Sequence, residues 1–279
     1  HTRYTQKTLN GSHIFFTYDT PLSKKNAKPN LAIIRKNLKK IYSFRFKKKV
    51  NLFITSQVYP GFTDKIISTY KNKMINTIYF VDTLKMGKAK NSFLHPNQMI
   101  FGSNYDCKKI VKDIFYKFKC KKYFFNIKEA ELIKISINLY LFFSVSFANI
   151  MDDMSKKNNI NFFQILDILK NDQRIGKHSY IKPSLGMSGG HLERDYYYFQ
   201  KLNNNSITSK ILSLIYNFNE KRKEILKEKL DNYKNKKVIL IGASYKKNSY
   251  SITNSNFKKL FDKIKIFDDQ FQLKDFKNK

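Results

Sequence analysis

Short apolar runs and longer amphipathic stretches alternate through the first half of the chain. Residues 14–16 read as a strand that ends toward Pro21, and 52–54 as another, closed by the Pro60-Gly61 turn. Further strands are predicted at 78–81 and 99–101. Between them, Leu31, Ile33, Ile34, Leu38 and Ile41 recur at helical spacing, as do Ile110, Val111, Ile114, Phe115 and Phe118. Strands alternating with helices predict an α/β segment with a parallel sheet and βαβ crossovers.

The rhythm changes near residue 128. One long helix is expected over 128–157, with Glu129 and Glu131 in its first turn, where acidic side chains suit the positive end of the dipole. A shorter helix is expected over 161–169, then a glycine-rich loop. Ser206 is placed to cap another long helix through Ile211, Leu212, Ile215 and Phe218, whose charged latter half, 219–235, reads as a solvated connector. Lys237-Val238-Ile239-Leu240-Ile241-Gly242 then restarts the strand-to-glycine pattern, so a second α/β segment is expected from about Lys236. No repeat at solenoid periods is present.

The 279 residues are enough for two modest domains. With 54 Lys and Arg against 21 Asp and Glu, the net charge of +33 suits nucleic acid or an anionic membrane, or else lysines scattered over solvated faces. The lysines are spread through every segment and no nucleic-acid motif accompanies them, which favours the scattered reading and argues against a specific nucleic-acid partner. A basic surface still attracts a nucleotide diphosphate. Cys107 and Cys120 are the only cysteines, without metal-ligand spacing. They point to a reducing compartment and against a disulfide scaffold or a metal site. Residues 139–150 are apolar but too short to span a bilayer, and Asp152-Asp153 follows. A cytoplasmic protein with no membrane partner is expected.

Candidate chemistry concentrates in Arg174-Ile175-Gly176 and in Pro183-Ser184-Leu185-Gly186-Met187-Ser188-Gly189-Gly190-His191-Leu192-Glu193-Arg194-Asp195. Glycines at this density let the backbone close tightly on a ligand. Upstream, Lys134 and Asn138 lie four apart and share a face of the long helix. There a lysine stabilises an alkoxide, and an amide holds a water or the same oxygen. Alone, one such pair among 54 basic residues carries little weight. The order of the whole set carries more.

Ala130-Glu131-Leu132-Ile133-Lys134, Asn138, Asn149, Arg174-Ile175-Gly176, Tyr180 and the run from Pro183 to Asp195 together resemble the UDP-glucose/GDP-mannose dehydrogenase family of nucleotide-sugar 6-dehydrogenases. The resemblance extends through Thr20-Pro21-Leu22, Ser56-Gln57-Val58 with Gly61, and Val81-Asp82-Thr83-Leu84 with Gly87 and Ala89. Further on it takes in Gly242, Tyr245-Lys246, Asn248 and Ser255. It implies a partial Rossmann-like, NAD-binding domain over 1–127. A central all-helical dimerisation and catalytic domain with one long helix would span 128–235, and 236–279 would begin a second Rossmann-like domain that binds the UDP-sugar. It also implies NAD as cofactor, a nucleotide-diphosphate sugar as substrate, and a homodimer built on the long helix. Residue by residue, it implies that Lys134, Asn138 and Asp195 surround the reacting sugar carbon and that Asp82 is a base. Thr20, Pro21 and Gln57 would lie beside NAD, and Tyr180, Gly186 and Lys246 on the substrate.

Departures from the family pattern shape the expectation. Gln57 stands for a threonine, Asp82 for a glutamate and Thr253 for an arginine. The glycine motif that cradles the NAD pyrophosphate is not in this chain, so a fragment without its first βα unit is expected, binding NAD weakly or not at all. The family's loop cysteine is also absent. An ungapped alignment puts His191 in its place, whereas a one-residue slip makes His191 its neighbour and deletes the nucleophile. The family oxidises an alcohol to an acid by two hydride transfers through a thioester, for which histidine offers no equivalent. His191 is either a general base near neutral pH, serving a single oxidation or an aldehyde hydrate, or a residue that hydrogen-bonds within the loop. Two functions follow: a dehydrogenase with an altered or incomplete second oxidation, or a nucleotide-sugar-binding homologue without catalysis. The presence of Lys134, Asn138, Asp195 and Lys246 favours the first, and a nucleic-acid-binding protein rests on charge alone.

Overall fold

A computed structural model of the chain describes residues 4–23, 28–84, 88–187, 190–202, 206–233, 239–242, 255, 257 and 265–267. They fall into two compact units, His1–Ile137 and Asn138–Lys279.

The first unit is built from α1 (Gln6–Leu9), β1 (His13–Phe16), α2 (Ala32–Tyr42), β2 (Val50–Ile54), α3 (Phe62–Tyr70) and β3 (Ile75–Phe80). It continues with α4 (Ala89–Leu94), β4 (Gln98–Gly102), α5 (Lys108–Ile114), β5 (Lys121–Phe125) and the first turns of α6 (Ile127–Lys157). Its strands form one sheet in the order β1-β2-β3-β4-β5. β1, β2 and β3 are parallel, with His13 beside Asn51 and Val50 beside Ile75. β4 runs antiparallel to β3, pairing Tyr79 with Gly102, and β5 is parallel to β4. The expected all-parallel sheet is therefore mixed. An antiparallel neighbour needs no full crossover, and the short α4 is the helix described between β3 and β4.

Helices cover both sheet faces, which is why β2 reads as a continuous apolar run, with Leu52, Phe53 and Ile54 all fully buried. Leu52 and Ile54 meet Ile34, Leu38 and Ile41 of α2 and Phe62 and Ile66 of α3. Phe53 joins Ile78, Phe80, Met99 and Phe101 against Val111 and Phe115. Each such side chain contributes about 1.5–3 kcal/mol by leaving water. Of the stripe predicted for α2, Ile33 faces out. Phe115 and Phe118 lie beyond the end of α5, and the Phe115 ring packs on Phe101 at 5.3 Å between centroids.

Asn126 and Glu129 close a capping box at the start of α6: the Asn126 side chain accepts from the Glu129 N–H at 2.8 Å, and the Glu129 carboxylate from the Asn126 N–H at 3.0 Å. Glu129 thus does what both first-turn acids were expected to do. Gly102 ends β4 so close to α6 that an added Cβ would sit 2.5 Å from the Ala130 Cβ.

The second unit holds the rest of α6, then α7 (Phe162–Asn171), α8 (Gly190–Leu202), α9 (Ile207–Asp231) and a parallel pair, β6 (Ile239–Ile241) with β7 (Lys265–Phe267). Phe142 and Val145 of α6, Met187, Tyr196 of α8 and Leu212 of α9 share one core, where Tyr196 stacks on Tyr216 at 4.3 Å. Ala148, Phe162, Leu166 and Ile181 form another. By length and composition α6 is able to cross a membrane. Its buried face, however, carries Asn138, Ser144, Ser146, Asn149, Asp152 and Ser155, the polar content of a helix inside a protein core.

Two expectations change here. The loop expected to run to Asp195 gives way to a helix, so His191 and Asp195 project from the first turns of α8. The second half of α9 is not solvated throughout: Asn219 and Arg222 are buried, whereas Lys221, Glu224, Glu228 and Asp231 are exposed as expected.

Candidate active site

In the first unit β1, β2 and β3 end at a common edge, and the segments that follow them carry Thr20, Gln57 and Asp82. The carboxyl edge of parallel strands is where α/β sheets bind ligands. The Thr20 hydroxyl, buried, donates to the Gln57 carbonyl at 2.7 Å and ties the first two segments together, with Pro21 exposed beside it. The half-buried Asp82 accepts the Leu84 N–H on its carboxylate at 2.8 Å, and its main-chain carbonyl accepts from the Lys134 ammonium.

Glu131, three residues before Lys134, crosses to the amino end of α3. Its carboxylate accepts the Gly61 N–H at 2.5 Å and the Thr63 N–H at 2.9 Å. Burial pushes its pKa up to about 7, against the opposing pull of those bonds. A helix amino end is a ready phosphate site, and here a protein carboxylate fills it. That helix end is thus already occupied, and no pyrophosphate cradle occurs among the described residues.

In the second unit Asn138 donates its amide to the Asp195 carboxylate, and both are buried. Arg194, also buried, places Nε 3.6 Å from the other Asp195 oxygen and Nη2 2.9 Å from Nδ1 of His191. A guanidinium only donates, so Nδ1 accepts and the neutral ring carries its proton on Nε2. His191 then presents a donor; the expected base role would require the Arg194 contact to open. With its amide given to Asp195, Asn138 has its carbonyl oxygen to offer an alcohol. Helical periodicity sets Lys134 on the same face of α6, one turn ahead of Asn138.

The glycine-rich segment is held from behind. The Ser184 N–H donates to the Asn149 side chain at 2.7 Å, and the Ser184 carbonyl accepts from Arg222 at 2.9 Å. Gly186 is buried, and Tyr180 is exposed. Lys246 lies outside the described residues, as do Gly87, Asn248 and Thr253. Arg222 and Asn219 escaped the sequence reading although a signal was there: with Leu212 and Ile215 they continue one stripe at helical spacing.

Residues 128–221 match the central domain of the UDP-glucose/GDP-mannose dehydrogenase family. The chain is 30% identical over 228 residues to UDP-glucose 6-dehydrogenase of Campylobacter jejuni, across 80% of this chain and 55% of that protein. It is 26% identical over 284 residues to UDP-glucose 6-dehydrogenase of Rickettsia bellii, across 95% of this chain and 65% of that one. The chain thus spans between half and two thirds of the length of these curated relatives. Its fold is similar to that of a UDP-glucose dehydrogenase from Pyrobaculum islandicum, with a TM-score of 0.78 at 18% identity over 92% of this chain and 63% of the other. It is also similar to a UDP-D-ManNAc dehydrogenase from Pyrococcus horikoshii, with a TM-score of 0.80 at 17% identity, over 96% and 68%.

Proposed function

From the match of residues 128–221 to the central domain of the UDP-glucose/GDP-mannose dehydrogenase family, we propose that the chain serves the NAD-dependent oxidation of the C6 hydroxymethyl group of a nucleotide-diphosphate sugar. The observation that carries this reading is the buried pair of Asn138 and Asp195, with Lys134 one turn earlier on the same helix.

In this reading the Lys134 ammonium stabilises the alkoxide as the C6 hydroxyl loses its proton, and the Asn138 carbonyl orients that hydroxyl. Asp195 holds the Asn138 amide, while Asp82 takes up the proton as base. NAD, when bound, supplies the hydride acceptor; Thr20, Pro21 and Gln57 form its wall on this chain. Tyr180, Gly186 and Lys246 hold the nucleotide sugar. His191 presents its Nε2 proton to an oxygen of the substrate, and the reaction stops after one hydride transfer. The proposed division into 1–127, 128–235 and 236–279 follows the same reading.

A second copy of the chain is the proposed partner. Tyr140, Phe143, Phe147, Ile150 and Met154 are exposed on α6, from 39% for Phe143 and Ile150 to 61% for Tyr140, at alternating spacings of three and four residues. That spacing suits the seam of two packed helices and supports this reading. Both cysteines are free, which fits the reducing cytoplasm.

A nucleotide-sugar-binding homologue without catalysis is the second reading. One observation favours it: Nδ1 of His191 accepts from Arg194, so the residue expected as a base has that nitrogen engaged. Incubating the full-length protein with NAD and a panel of UDP-sugars, and counting NADH per sugar, separates the two. One NADH per sugar, lost in Lys134→Ala, supports the proposal; two contradict the single oxidation. None, with the sugar still bound, turns the assignment to the binding reading.

A further inference from the structure

Every face of the buried Arg222 guanidinium is engaged within the second unit. Nε and Nη2 donate to the Ser184 carbonyl at 3.2 and 2.9 Å, and Nη2 also reaches Asp152 at 3.0 Å. Nη1 donates to the Asn149 carbonyl at 3.0 Å and to Asp153. Burial pushes the Asp152 carboxyl up, but the bonds and charges of Lys156 and Arg222 outweigh it and hold the group below its ordinary value. From these contacts we propose that Arg222 is a positioning residue that fixes segment 183–187 as one wall of the sugar pocket. The inference rests on the reading above, in which Gly186 meets the substrate.

The segment takes its place from the helices behind it more than from its own bonds. Asn149 of α6 accepts the Ser184 N–H and donates to the Asn219 side chain at 3.0 Å, and Asn219 donates in turn to Ser146 at 2.8 Å. At Gly186 the α9 backbone approaches so closely that a Cβ would stand 2.6 Å from the Asn219 carbonyl, and the φ of +129° already favours glycine. Only a planar fork of five donors serves two carbonyls and two carboxylates at once. A lysine keeps the charge and meets one or two of them.

The test uses Arg222→Lys and Arg222→Gln in the full-length protein. Losing one or two charge-assisted hydrogen bonds predicts a KM for the nucleotide sugar raised roughly tenfold, with the KM for NAD held within roughly twofold. Amide hydrogen exchange at Leu185, Gly186 and Met187 should speed up by a similar factor. Should Arg222→Gln fail to fold, Asp152→Asn combined with it removes the more buried of the two carboxylates that the change leaves without Arg222. Gly186→Ala, which displaces the segment without touching Arg222, should raise the same KM. A role confined to stability would lower the melting temperature but leave both KM values and the local exchange unchanged, and that result overturns the proposal. If the wild type turns over no nucleotide sugar, the functional reading fails, and exchange alone decides: faster in Arg222→Lys upholds the clamp, unchanged overturns it.

Discussion

Glu131 shows how far one side chain's work can lie from its position in the sequence. Read from the sequence as a first-turn acid of α6, it is expected to serve that helix's own dipole, yet it caps α3 and Glu129 caps α6. The Asn126-to-Glu129 spacing of a capping box is a local signal for Glu129, but only the fold carries Gly61 and Thr63 to the side of α6, where Glu131 meets them. Its folded pKa of about 7 exceeds the ordinary 4.5, so between those values the folded state binds more protons than the unfolded chain. The contribution is fully present below about 4.5 and is lost as pH rises through about 7, on the order of 2–3 kcal/mol for so buried a group. Melting curves from pH 5 to 9 should show the wild type losing stability through neutral pH relative to Glu131→Gln. Parallel curves for the two proteins would refute this. Asn138 and Asp195 were legible because the order of motifs placed them; Arg194 beside them was read only as part of that motif.

Among the elements, those with a clean apolar rhythm were legible. Ile34, Leu38 and Ile41 mark α2, and Leu52 to Ile54 mark β2, because burial on one or both faces leaves its period in the sequence. β5 was missed: it begins Lys121-Lys122 and occupies the sheet edge, where charged residues are tolerated and hide the alternation. The antiparallel turn of β4 was invisible too, since strand direction is set by pairing across the sheet. α8 was hidden behind its glycines. The start of α6 offers a direct check. Gly102→Ala would press a methyl group on Ala130 and on the backbone at Asn126 and Ile127, and none of these yields easily. A loss of about 1–3 kcal/mol in urea unfolding is expected; an unchanged midpoint would mean that α6 shifts freely.

At the level of the whole molecule, the net charge of +33 says less than the exposed apolar row from Tyr140 to Met154 on α6. Lysines spread over every segment give no single face, whereas a seam in one register selects one partner geometry. Phe147→Asp places a charge in the middle of that seam. Light scattering should then report a monomer where the wild type is a dimer, with the circular dichroism spectrum retained; a dimer that survives the change removes the seam from the interface. The seam shares its helix with Asn138. In the proposed dimer a subunit damaged at the seam would be kept out of mixed assemblies, so sound subunits made in the same cell would pair with one another and the trait would be inherited as recessive.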